Sequence, residues 1–152
     1  MTGIKELTVG KLPIKHMESI LESIPCRGLA VQTRMGMDAA ITELRGKKLA
    51  ICSGVAVGQD TAKFAELVSS IAASIRKSGF VPDVINPIVL LPEGTTLDDA
   101  RQVILEVSHA AEKLGISVGK GHTEITNSVS DCMVIATIFG SSYTEAKGRS
   151  DS

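Results

Sequence analysis

Cysteine is scarce in this sequence: Cys26, Cys52 and Cys132 are odd in number, widely spaced and without a CxxC pair. That argues against a disulfide framework and a zinc site, and each cysteine reads as a small apolar residue. An excess of one charge is also missing. The formal net charge is -1, with Lys and Arg spread along the chain, so there is no electrostatic footprint for nucleic acid or for an anionic membrane surface. Long apolar runs are missing too: "PIVLLP" is far too short to span a bilayer, and the N-terminal "MTGIKELTVGKLP" has no apolar h-region. The expected setting is cytoplasmic. No Walker A loop, no GxGxxG and no GxSxG elbow occurs.

What the chain does have is enough hydrophobic material, 43% of 152 residues, to bury one ordinary core. A single domain is expected over 1–140, with a polar tail over 141–152 in "SSYTEAKGRSDS". The pattern along the domain is α+β. After Pro13, "IKHMESILESI" repeats Ile14, Met17, Ile20, Leu21 and Ile24 at helical spacing. "GLAVQT", "DAAITEL" and, after the turn "RGKK", "LAICSGVAV" read as a three-stranded meander over 29–57. Asp60 is the expected N-cap of a helix with Phe64, Leu67, Val68, Ile71, Ala72 and Ile75 on its core face, closed by Gly79 and Pro82.

In "VINPIVLLP", Pro87 cannot donate to a ladder, which points to an edge strand or a bulge. Thr96 and Asp99 form a capping box that opens a second helix ended by Gly115, with Ala100, Val103, Ile104, Val107, Ala111 and Leu114 facing the core. "ISVG" is a short strand and "CMVIATIF" a strongly apolar one.

The chemically suggestive stretch is "SVGKGHTEI" over 117–125, on a loop where a strand ends. Its glycines let backbone N–H groups approach an anion, Lys120 adds charge and Thr123 can donate to an oxygen. The same Gly-Lys-Gly also serves as a tight turn. His122 is a candidate proton carrier or a packed loop histidine, Glu124 a ligand or a solvated strand-end charge, and Lys120 a phosphate contact or a solvated loop lysine. His122 beside one glutamate lacks the companion carboxylates of a metal site. His16 and His109 sit on helices and read as solvated.

The order of five blocks resembles the aminoimidazole ribonucleotide (AIR) synthetase superfamily, in particular its branch similar to the hydrogenase maturation protein HypE. The blocks are "VGKLP" at 9–13, "GMDAAI" at 36–41, "KSGFVP" at 77–82, "LLPEGT" at 90–95 and "GKGHTEIT" at 119–126. The resemblance covers most of the chain and matches the family's N-terminal domain. It implies a mixed, mostly antiparallel sheet with two long helices on one face. It also implies strands that join across a homodimer into a β-barrel, and a site for ATP and Mg²⁺ completed by a C-terminal domain. That second domain, with the cysteine on which HypE-like proteins carry out carbamoyl chemistry, has no counterpart here. The expectation is a chain ending at a domain boundary or a solitary half, with a separate C-terminal-domain partner as one possibility.

Residue by residue, the resemblance assigns Gly36, Asp38, Lys120, Gly121, His122, Thr123 and Glu124 to nucleotide and phosphate binding and Asp38 to the metal, and it supplies no catalytic residue. The family's GPGVGxDAA corresponds to "QTRMGMDAA", where Gln32 and Arg34 replace glycines and Met37 stands where an acidic residue is usual. Gly54 stands where a strand usually ends in a metal-contacting Asp, Ala73 and Ser74 replace an Asn-Asp pair, and Lys120 replaces a glycine of GGHTE. Asp38 is left nearly alone for magnesium.

Three readings follow. The first is a dimeric, catalytically degenerate N-terminal domain that retains a small anionic ligand or a partner, which explains the lost carboxylates and the missing half together. The second is part of a working ATP-dependent enzyme, HypE-like or a small-molecule kinase or synthetase, with Lys120, Glu124 or Arg34 supplying charge to the phosphate site. The third is a structural or regulatory subunit without ligand.

Overall fold

The structure is a computed structural model that describes residues 7–23 and 39–142. The expected strand "GLAVQT" therefore lies outside the described residues, as does Cys26. Helix α1 spans Ile14–Ser23 directly after Pro13, and its apolar side is not buried among the described residues: Ile14 is 63% and Ile20 48% exposed.

Strands β1 (Ala40–Leu44) and β2 (Lys47–Val57) form an antiparallel hairpin. Its two-residue turn, Arg45 and Gly46, has φ of 51° and 77°. Both positive values are those of a type I′ turn, whose twist matches the paired strands.

Helix α2 (Ala62–Lys77) follows. Asp60 caps it as expected, its Oδ1 accepting from the Ala62 amide at 3.0 Å, while Thr61 at the helix boundary is already in the helical region and makes no side-chain cap bond. Phe64, Val68, Ile71, Ala72 and Ile75 are buried as their spacing requires, and Gly79 closes the helix at φ 84°.

Strand β3 runs unbroken from Phe80 to Pro92, and α3 spans Leu97–Lys113. Thr96 caps the helix as expected, the Asp99 amide donating to Thr96 Oγ1 at 3.1 Å, and the return bond to Asp99 Oδ2 comes from the Thr96 hydroxyl, at 2.6 Å, in place of the backbone amide of a full capping box. Strands β4 (Ser117–Val118), β5 (His122–Thr126) and β6 (Met133–Ser142) complete the sheet. β6 takes Ser141 and Ser142 from the segment expected to be tail.

The sheet has six strands in the order β1-β2-β6-β3-β4, with β5 also on β3. All pairings are antiparallel except those of β3 with β4 and β5. This corrects the reading of Pro87. β3 is a central strand, flanked by β6 on one side and by β4 and β5 on the other, and its register shift falls between Pro82 and Val84 instead of at Pro87. Proline is accommodated because the partners on one side are discontinuous: β4 pairs with Val84 and Ile85, β5 starts opposite Ile88, and Pro87 faces the gap. Ile85 O accepts from Gly119 N at 2.8 Å, so by alternation the missing Pro87 donor points to the same side, where no ladder partner waits for it.

Both long helices pack on one face of the sheet, α2 over β2, β6 and β3, and α3 over β3 and β4. The core between them includes Phe64, Val68, Ile75, Ile85, Leu91, Val107 and Ile138. Ile104 departs from expectation at 39% exposed, because α3 overhangs the margin of the sheet instead of its centre. The opposite face carries Val55, Val57 and Ile88, exposed by 57%, 44% and 39%, and no described helix covers it. No helix of the described residues is long and apolar enough to cross a membrane.

Candidate functional site

The Gly-Lys-Gly sequence is the link between β4 and β5, and its second glycine is demanded by the backbone of β3 beneath it. A Cβ on Gly119 would strike Asn86 Oδ1, and one on Gly121 would strike the Pro87 carbonyl oxygen. The amide of Gly119 is already committed to Ile85 O. Close backbone approach to β3 therefore explains Gly121, and the Gly119 amide is not free for an anion.

His122, Thr123 and Glu124 lie on strand β5, which corrects the expectation of a loop. Strand alternation then separates them. His122 and Glu124 are partnered with Ile88 and Leu90 on the uncovered face, whereas Thr123 is partnered with buried Val89 and faces the helix side. His122 Nε2 and Glu124 Oε2 are 2.9 Å apart, with side chains 62% and 57% exposed. This contact orients the imidazole ring, and at such exposure its energetic worth is small.

Lys120, Gly121 and His122 line an open cavity of about 430 Å³ on the uncovered face, with Asn86, Thr137 and Phe139. Sequence reasoning did not identify Asn86 and Thr137. They are neighbours in register, and Thr137 Oγ1 lies 2.8 Å from Ser53 Oγ on the next strand. A row of three polar residues thus crosses β2, β6 and β3 through an apolar face and ends at the Lys120 link. Single polar residues within "VINPIVLLP" and "CMVIATIF" were the signal, legible only once the register of three strands is known.

A second cavity, of about 330 Å³, opens at the end of the sheet where α2 and α3 begin, lined by Gln59, Thr61, Asp99, Gln102, Asp131 and Cys132. Gln59 Nε2 donates to Asp131 Oδ1 at 3.1 Å. Burial, then Asp131 and Asp99, push the Cys132 thiol above its ordinary range. Among the described residues two carboxylates and no lysine, arginine or histidine line this cavity, so these residues disfavour an anion there and the Lys120 cavity is the better phosphate site.

Gly36 and Asp38 lie outside the described residues. The position of Gly54 is informative. It faces α2, and a Cβ there would sit 2.9 Å from Leu67 Cδ1 and 3.2 Å from Ile71 Cδ1. Ala73 and Ser74 follow on the same helix, with Ser74 Oγ donating to Ser70 O at 3.3 Å. Among the described residues no three His, Cys, Asp or Glu side chains are grouped to hold a metal ion. These residues do not fit a magnesium site.

No protein-family model matches this sequence, and no curated protein matches it. Solved structures do match. HypE in the HypE–HypF complex superposes with a TM-score of 0.67 at 17% identity, over 86% of this chain and 43% of that one. AaThiL complexed with AMPPCP and TMP gives 0.65 at 18% identity, over 84% and 40%. HypE in complex with ATP gives 0.53 at 19% identity, over 72% and 34%. The chain thus has the fold of a PurM-type N-terminal domain. HypE hydrogenase maturation proteins are among its structural neighbours, and it spans about two fifths of their length.

Proposed function

We propose that this chain is a dimerising, nucleotide-binding domain without metal-dependent catalysis of its own, a degenerate counterpart of the N-terminal domain in HypE-like proteins. The packing of Gly54 carries this reading. Where the resemblance puts a metal-contacting carboxylate, the space belongs to Leu67 and Ile71, and a carboxylate confined among hydrocarbon is driven toward its neutral form, which is a poor ligand for a hard cation. The ligand class comes from the neighbours: one HypE structure contains ATP, and the AaThiL structure contains AMPPCP.

The phosphate groups are assigned to the cavity of Lys120 and His122, with Glu124 fixing the imidazole ring. A lysine held in a tight link over β3 meets phosphate as a point charge. The part of the uncovered sheet face around Val55 and Val57, beside the phosphate cavity that Ile88 lines, is assigned to a second copy of this chain, since exposed apolar strand surface of this kind is ordinarily covered. The reading is tested by equilibrium dialysis of ATP against the intact chain and the Lys120→Ala variant. Binding weakened at least tenfold in the variant supports it; unchanged binding removes Lys120 from the site.

A second reading has one observation in its favour. Because the chain covers only 43% of HypE, a separate C-terminal domain could complete an ATP-dependent enzyme. That reading requires magnesium-dependent nucleotide binding that is lost on Asp38→Asn.

A further inference from the structure

Ile104 has the spacing of a core residue yet remains 39% exposed. It borders a third cavity, of about 240 Å³, on the helix side of the sheet, walled by Val89, Val107 and Val118 with Ser108 and Thr123 among its lining. Val118 is 45% exposed, so apolar surface stands open from both α3 and β4. This cavity shares Pro87, Gly121 and His122 with the Lys120 cavity. The two lie on opposite sides of the sheet, on either side of the link between β4 and β5 at its margin.

Size and chemistry limit what this arrangement can hold. A site enclosing a whole drug-sized ligand has roughly 300–1,000 Å³, so 240 Å³ admits one ring system and leaves the rest of the molecule outside. The walls are aliphatic, with hydroxyls from two sides. Ser108 Oγ donates to Ile104 O at 2.8 Å, which leaves its lone pairs as acceptors. The Thr123 hydroxyl makes no hydrogen bond with a described residue and is available as donor or acceptor. Such walls suit a ring with apolar faces and polar edges, and the neighbouring cavity offers the Lys120 ammonium and the His122 ring.

We infer that the two cavities form one bipartite site for a phosphorylated heteroaromatic ligand, its ring between α3 and β4–β5 and its phosphates around the link at Lys120 and His122. The inference rests on the phosphate reading of the Lys120 cavity, and it adds the ring subsite and the residues that would select for it: Ile104, Val118 and Thr123.

Calorimetric titration of the full chain with ATP and, separately, with inorganic tripolyphosphate tests the two parts independently. The expected result is ATP binding at least tenfold tighter than tripolyphosphate. Ile104→Trp, which fills the ring cavity from a partly exposed helix position, brings ATP down to the affinity of tripolyphosphate and leaves tripolyphosphate unchanged. Val118→Phe repeats the test from the strand side should the first variant fold poorly, with far-UV circular dichroism as the check on folding. Lys120→Ala weakens both ligands. Equal affinity for ATP and tripolyphosphate in the intact chain overturns the ring subsite while the phosphate reading stands, as does a preference for ATP that survives filling of the cavity. Failure of both ligands to bind overturns the phosphate reading and the inference with it.

Discussion

Gly121 lies so close to the carbonyl of Pro87 that no Cβ fits between them. The proline in the central strand and the glycine in the link are therefore one structural feature: Pro87 leaves a gap in the ladder, and the glycine lets the link pass over it. Gly121→Ala must push the link away from β3 or strain it, at a cost of about 1–3 kcal/mol. Urea denaturation measures that loss, and ATP affinity should fall with it because Lys120 and His122 move with the link. A variant as stable as the parent would mean that the link shifts freely and is no fixed platform.

Gly54→Asp tests the degenerate reading from the opposite direction. Returning the carboxylate forces it against Leu67 and Ile71, and the expected outcome is a loss of about 2 kcal/mol or more in urea denaturation, with no gain in magnesium affinity. A stable variant that acquires magnesium binding would show that the pocket still accepts its ion.

The Cys132 thiol gives a pH-dependent prediction. Burial first, then Asp131 and Asp99, raise it above its ordinary value of 9.0, against a smaller lowering by its own backbone hydrogen bond. The folded state therefore holds the thiol proton more tightly than the unfolded chain. The associated stability is fully present below about pH 9 and is lost as pH rises through the folded value. With Cys26 and Cys52 replaced by alanine, alkylation of Cys132 at pH 8 should be slower in the folded protein than in urea and faster in Asp131→Asn. Equal rates folded and unfolded would contradict the assignment.

Dimerisation is testable at Val55, which is 57% exposed on the uncovered face. Light scattering at micromolar concentration should give the mass of two chains, and Val55→Asp should reduce it to one without unfolding, since the side chain points away from the core. A monomeric parent would remove the second copy from the account.

Legibility from sequence followed the range of the interactions involved. The long helices, the Thr96–Asp99 cap and the turn at Gly79 are set by neighbours within a turn or two, so periodicity and capping residues revealed them. β3 and β5 are set by pairing between distant segments. Pro87 read as an edge residue because the gap that excuses it is created by β4 and β5, which begin 30 and 35 residues later. β5 itself is short, polar and attached to a glycine turn, which looks like a loop until parallel pairing with β3 is seen. The same limit applies to the site. The identities of Lys120, His122 and Glu124 were legible, whereas their distribution over two faces, the contribution of Asn86 and Thr137, and the exposure of Ile104 depend on register. Gly54 could be read as a missing carboxylate, but its contact with Leu67 and Ile71 requires knowing how α2 sits on β2.

The most direct test of the central claim, nucleotide binding without dependence on magnesium, is a thermal-shift titration of the purified chain with ATP, with Mg²⁺ and with EDTA. A ligand that binds only the folded state stabilises it by about 2.7 kcal/mol at a hundredfold excess over Kd, which corresponds to an upward shift of about 5 °C or more for a domain of this size. The account predicts that shift in both conditions and its loss in Lys120→Ala. No shift at millimolar ATP, or a shift that appears only with Mg²⁺ and vanishes in Asp38→Asn, would contradict it.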